Sequence, residues 1–130
     1  MNLGNLSINQ IVMKNSSFDE FITFTKKLNI QNIEIRNDIK TNLVRENEPQ
    51  KIKDICDNHS IKILTINALQ KFNIWNEQRE NELIELCSFA NKASIWAVVL
   101  VPLNDGSFPK EEDQINLLRS SLKNISVILN

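Results

Sequence analysis

Glycine is nearly missing: only Gly4 and Gly106 occur in 130 residues. A G-x-G-x-x-G dinucleotide fingerprint and a P-loop are therefore excluded, because both need several glycines where backbone closes on a phosphate. Histidine is reduced to His59 alone, near the far end of a helix and on the wrong side of the sheet for catalysis. With it go the H-E-x-x-H zinc helix and any serine or cysteine triad, which require a histidine beside the nucleophile. The cysteines, Cys56 and Cys87, form no C-x-x-C pair, and each falls on the apolar stripe of a predicted helix. They read as small reduced core residues rather than as a disulfide or a zinc site. Charge of one sign is lacking too: 15 basic and 16 acidic residues leave a net charge of −1. No field exists to draw in nucleic acid or an anionic membrane. No apolar run approaches the roughly 20 residues of a membrane span. The opening Met1–Asn5 lacks the basic segment and apolar core of a signal peptide. The expectation is a cytoplasmic protein without nucleic-acid or membrane partners.

What is present is ordinary in composition and regular in order. Hydrophobic residues make up 42% and charged residues 24%, enough for one domain over residues 1–130 with a real core. The first strand is expected over Leu6–Val12. Ser17 with Glu20 three positions on forms a capping box, and Phe18, Phe21, Ile22, Thr25 and Leu28 mark the face of the helix it opens. Asn29 stands where that helix turns left-handed. A second strand covers Asn32–Arg36, and a loop leads to a helix start at Asn47-Glu48-Pro49. The face of that helix is Ile52, Ile55, Cys56 and His59. A third strand, Ile61–Asn67, is followed by an apolar loop, Ala68–Trp75, and a helix over 76–92 with Leu83, Leu86, Cys87 and Ala90 on its stripe. The fourth strand, Trp96–Pro102, is nearly all apolar, as in a strand covered on both faces. The last helix, 111–129, carries Ile115, Leu118, Leu122, Ile125 and Leu129. Alternation of this kind predicts an α/β fold with a parallel sheet and four βα units.

Ligands of such folds bind beyond the carboxyl ends of the strands. Ser7 and Asn9, Glu34 and Arg36, and Thr65 and Asn67 are each spaced by two, which puts each pair on one face of its strand. The alternate positions Leu6, Ile8, Ile33, Ile35, Leu64 and Ile66 are apolar and suited to packing under helices. The polar pairs thus share an inward face, as a barrel with a substrate-facing mouth requires. Plainer roles stand beside this one. Glu34 and Arg36 would equally form an interior ion pair, and Asn9 and Asn67 would equally cap strand ends. Asn104-Asp105-Gly106 has the composition of a turn. Trp75 would shield a pocket or simply pack.

The segments Leu6–Gln10, Ile33–Asp38, Thr65–Leu69 and Val99–Gly106 resemble successive strand ends of the sugar phosphate isomerase/epimerase family. Ile33-Glu34-Ile35-Arg36-Asn37-Asp38 and Pro102-Leu103-Asn104-Asp105-Gly106 carry most of the likeness. The resemblance implies the xylose-isomerase-like TIM (β/α)8 barrel, of which this chain would be the first half, since a whole barrel needs about 250 residues. It further implies metal-assisted proton transfer through an enediolate. The divalent metal (Mn, Mg, Zn or Co) is held in that family by Glu, Asp, His and Glu at later strand ends, so no metal ligand is assigned to this chain. Asn9, Glu34, Arg36, Asn67 and Asn104 would line the substrate side and bind a sugar or sugar phosphate. Arg36 is suited to an anionic or polyhydroxylated group through its planar fork, and Glu34 to orienting Arg36 or accepting from a hydroxyl. Asn29 and Ser94, at helix ends where glycine is usual, depart mildly from the pattern.

A second reading is a non-catalytic half-barrel that forms a homodimer or pairs with a separate second half through its exposed sheet edges. A flavodoxin-like binding domain is the third; four strands are thin for it, and it leaves the polar pairs unexplained.

Overall fold

The computed structural model of the chain describes residues 6–103, 105–107 and 111–129. Four strands form one parallel sheet in the order β1-β2-β3-β4: Ser7–Asn9, Asn32–Arg36, Lys62–Gln70 and Ala97–Val101. The helices are α1 (Phe18–Lys27), α2 (Leu43–Glu46), α3 (Pro49–Asn58), α4 (Glu77–Lys92) and α5 (Glu111–Leu129). The α/β class and the four βα units are as the alternation predicts. No described helix is long and apolar enough to cross a membrane.

The chain divides into two compact units, Met1–Ala68 with Leu86–Val99, and Leu69–Glu85 with Leu100–Asn130. The first contains the strand ends that matter most. Its α1 begins at the predicted capping box: Ser17 Oγ accepts from Glu20 N–H, and the Glu20 carboxylate accepts from Ser17 N–H at 2.8 Å. Phe18, Phe21, Ile22 and Thr25 are buried beneath it, whereas Leu28 is exposed past the helix end. Asn29 and Ser94 adopt φ of +56° and +57° after their helices, the left-handed turn usually given to glycine. The core of the sheet is Ile33, Ile35, Ile63 and Ile66, all buried. Cys56 is buried as a reduced thiol, and burial pushes its pKa up to about 12, which removes it as a nucleophile. His59 does not share the face of Ile52 and Cys56; it lies exposed at the C-cap of α3.

Several boundaries differ from expectation, each for a local reason. β1 ends at Asn9, and a 3-10 turn follows over Gln10–Met13. Asn9 itself causes this: its Oδ1 accepts from Ile11 N–H at 3.0 Å, so the chain turns instead of extending to Val12. β3 runs on to Gln70 through apolar residues placed in a loop by the sequence reading. Its register slips by one against β2, with Ile33 opposite Ile63 but Glu34 opposite Thr65. The extra residue, Leu64, is half-exposed, and Ile63 and Ile66 take the core positions. Leu64 therefore does not share the core face with Ile66. Asn42 caps the unpredicted α2, its Oδ1 accepting from Arg45 N–H.

In the second unit, Phe72 N–H donates to Val101 C=O at 3.2 Å, and the buried Asn73 side chain brackets Leu103, accepting from its N–H at 2.6 Å. α5 buries Ser121 and Ile125, while Ile115, Leu122 and Leu129 of the predicted stripe are exposed. Ser121 and Ile125, four residues apart, lie on the same buried face. β4, expected to be covered on both faces, has every residue only half-buried. It stands at one end of the strand order, and Trp96 just before it is 81% exposed.

Candidate functional site

Parallel register brings the polar residues of β1, β2 and β3 into line within the first unit. Asn9 sits opposite Glu34, Glu34 opposite Thr65, and Arg36 opposite Asn67. The outcome is centred on one carboxylate. Asn9 Nδ2 donates to Glu34 Oε2 at 3.0 Å, and Asn67 Nδ2 donates to the same oxygen at 3.2 Å. Asn67 also reaches Thr65 Oγ1 at 3.3 Å. The slip at Leu64 is what places Thr65 and Asn67 on the Glu34 side.

Glu34 is therefore held from both neighbouring strands through one oxygen. Its other oxygen, Oε1, has no hydrogen-bond partner among the described residues. An ionised carboxylate is acceptor-only, so Oε1 is an acceptor held in place, ready for an incoming O–H. Asn9 fills both roles open to it in the sequence reading, capping the strand end through Oδ1 and touching Glu34 through Nδ2.

Arg36 does not pair with Glu34. It turns to Asp38 in a two-pronged contact, Nε to Oδ1 at 2.7 Å and Nη2 to Oδ2 at 2.5 Å. These hydrogen bonds hold the guanidinium pKa above its ordinary value against the opposing effect of partial burial. Glu34 is thus left to the two asparagines.

Three positioning residues escaped the sequence reading. Gln10 is fully buried, and its Oε1 accepts from Arg36 N–H at 2.9 Å, tying the end of β1 to the end of β2. Its Nε2 is buried without a partner among the described residues. Asn37 clamps β3 two residues before its end: Oδ1 accepts from Ala68 N–H at 2.6 Å, Nδ2 donates to Ala68 C=O at 3.2 Å, and Asn37 N–H donates to Asn67 C=O at 3.0 Å. The peptide between Asn67 and Ala68 is cis. Asp38 is the third. Each lies within two residues of a strand end; the partners of Gln10 and Asn37 are backbone groups far away in sequence, whereas Asp38 reaches Arg36 from the turn after β2.

Asn104 lies outside the described residues. Beside it, Asp105 Oδ1 accepts from Ser107 N–H at 3.0 Å, and Gly106 has φ of +78°, the geometry of the predicted turn. Hydrogen bonds from Ser107 lower the Asp105 pKa. Trp75, in the second unit, is half-buried. A cavity of about 310 Å³ occurs in the first unit at the opposite, amino-terminal end of β3, beside Cys56, Ser60, Lys62 and Ser94. No three His, Cys, Asp or Glu side chains gather as a metal would require among the described residues. The described residues do not fit a metal site.

A four-stranded parallel sheet with polar residues at successive strand ends is the arrangement of one half of a xylose-isomerase-like TIM barrel, and solved structures of that fold match it. A xylose isomerase domain containing protein from Salmonella typhimurium LT2 superposes with a TM-score of 0.82 at 22% identity, over 98% of this chain and 47% of that one. The IolI protein, solved with a bound zinc atom, gives 0.79 at 23%, over 94% of this chain and 46% of its own. The probable 3-DHS dehydratase AsbF of Bacillus anthracis, involved in petrobactin synthesis, gives 0.67 at 13%, over 94% and 48%. The chain spans about half the length of these structures. No protein-family model and no curated protein matches it.

Proposed function

We propose that this chain forms the sugar-binding wall of a xylose-isomerase-like barrel that acts as an isomerase or epimerase on a polyhydroxylated substrate. One observation carries the reading: Glu34 is gripped by Asn9 and Asn67 through Oε2 while Oε1 is left to accept. A sugar is a row of O–H donors, and a fixed carboxylate oxygen between two amides orients such a donor at little entropic cost. The side-chain oxygen of Asn67, Oδ1, is a second acceptor of the same kind. Binding in this way would hold a hydroxyl–carbonyl pair in one pose for proton transfer through an enediolate. A divalent metal, such as the zinc of the IolI structure, would polarise that pair; the described residues offer no ligand set for it, and their part is to bind and orient. Calorimetric titration with xylose tests the reading. Wild type is expected to bind, and Glu34→Ala to weaken binding about 10- to 100-fold, the usual worth of a hydrogen bond to a charged group. Equal binding by the two proteins would remove Glu34 from the site.

A second reading is favoured by β4. Its five apolar residues are all half-buried, and Trp96 is exposed at its start. Such an edge is a template for a further strand, and a second copy of the chain would supply one. Sedimentation velocity at rising concentration is expected to show a dimer, weakened by Trp96→Lys; a monomer throughout would contradict it.

A further inference from the structure

We propose that Asp38 makes the Glu34 site selective for an uncharged polyol over a phosphorylated or otherwise anionic one, by holding the fork of Arg36. The inference rests on the sugar-binding reading and specifies its substrate. Arg36, at the end of β2, has the planar fork that binds a phosphate in two-pronged fashion. In the structure that geometry is already used: Nε and Nη2, the pair of donors on one edge of the guanidinium, both go to Asp38. The pair is only partly exposed, with side-chain exposures of 21% for Arg36 and 35% for Asp38, so bulk water screens it incompletely. The base of Arg36 is fixed as well, since its backbone N–H is bonded to the fully buried Gln10.

The charge balance points the same way. Glu34 and Arg36 lie two apart on β2, on one face and separated by roughly 7 Å along the strand. A ligand resting on Glu34 Oε1 therefore meets the Glu34 carboxylate and, beyond it, a guanidinium whose preferred edge is already held by Asp38. A phosphate brings further negative charge to that position and must displace Asp38 to gain a two-pronged contact. A neutral sugar brings O–H groups, which Glu34 Oε1 and Asn67 Oδ1 accept, and its ring oxygens find the remaining N–H of Arg36. Asp38 acts on the substrate through Arg36 and is a positioning residue.

The test compares two probes, xylose and inorganic phosphate, on the full chain. The Arg36 Nε–H and the side-chain amides of Asn9 and Asn67 are followed by NMR in wild type, Asp38→Asn and Asp38→Asn/Arg36→Ala. Wild type is expected to show saturable amide shifts with xylose and only weak, salt-like shifts with phosphate. Asp38→Asn removes one negative charge and frees the fork, so phosphate is expected to bind about tenfold more tightly and to move Arg36 Nε–H. The double variant should lose that gain. Tighter binding of phosphate than of xylose by wild type overturns the proposal without recourse to any variant. So does a gain in Asp38→Asn that survives the loss of Arg36, or no gain in a folded Asp38→Asn. Absence of xylose shifts at Asn9 and Asn67 counts against the sugar-binding reading instead, and the phosphate comparison still decides the role of Asp38.

Discussion

Asn37→Ala is expected to destabilise the fold by about 2–4 kcal/mol, out of proportion to a half-buried polar side chain. The reason is what it leaves behind. Ala68 is 1% exposed, and its N–H and C=O are both bonded to the Asn37 amide, at 2.6 and 3.2 Å. Alanine at 37 strands both groups without water to replace the partner, and each orphaned buried group costs about 1–3 kcal/mol. In a chain of this size the loss corresponds to a fall of roughly 10 °C in Tm. Asn37→Asp separates the two bonds: a carboxylate still accepts from Ala68 N–H but faces the Ala68 carbonyl without a donor. It should fall between wild type and alanine. A loss below about 0.5 kcal/mol for Asn37→Ala would show that the clamp contributes nothing. Because Asn67 is the residue before Ala68, the same variant is expected to disturb the contact of Asn67 with Glu34.

Phe21→Ala should cost more still, about 3–5 kcal/mol. Phe21 is 0% exposed on the inner face of α1, beside Ile22 at 1%. Its removal opens a cavity that neighbours already in place cannot close. Against a total stability of about 5–15 kcal/mol, a variant of this kind is close to unfolding at room temperature. Val127→Ala provides the contrast, since Val127 is 74% exposed on α5; it should change stability by less than about 0.5 kcal/mol. Urea melts of the three proteins decide the matter. A loss below about 1 kcal/mol for Phe21→Ala would mean that α1 is not packed as described.

Periodicity and capping motifs were legible in the sequence; side-chain turns at strand ends and cross-strand register were not. β2 has the boundaries its alternation predicts, Asn32–Arg36, and α1 starts at its capping box, because both depend on neighbours within four residues. The left-handed Asn29 was legible for the same reason. β1 stops three residues before Val12 because the Asn9 side chain bonds Ile11 N–H and turns the chain, the capping role open to it beside the ligand-facing one. The slip at Leu64 was missed because a single extra residue does not alter an apolar run of Ile, Leu and Ile. At the site, a spacing of two brought Glu34, Arg36, Thr65 and Asn67 to one side of the sheet, yet it did not say who would bond to whom. Glu34 and Arg36 are near neighbours of opposite charge, and the obvious pairing fails because Asp38 reaches the guanidinium along two donors at once. That geometry belongs to the turn after β2, which periodicity does not describe.

Glu34 is the centre of the site, an acceptor held by two amides and open on its other oxygen. The most direct measurement follows the side-chain amide resonances of Asn9 and Asn67 during a xylose titration of wild type and Glu34→Ala. Both pairs are expected to shift together and saturate at one concentration in wild type, and to stay still in the variant. Shifts confined to residues around the cavity beside Cys56 and Lys62, or identical curves in the two proteins, would contradict the account.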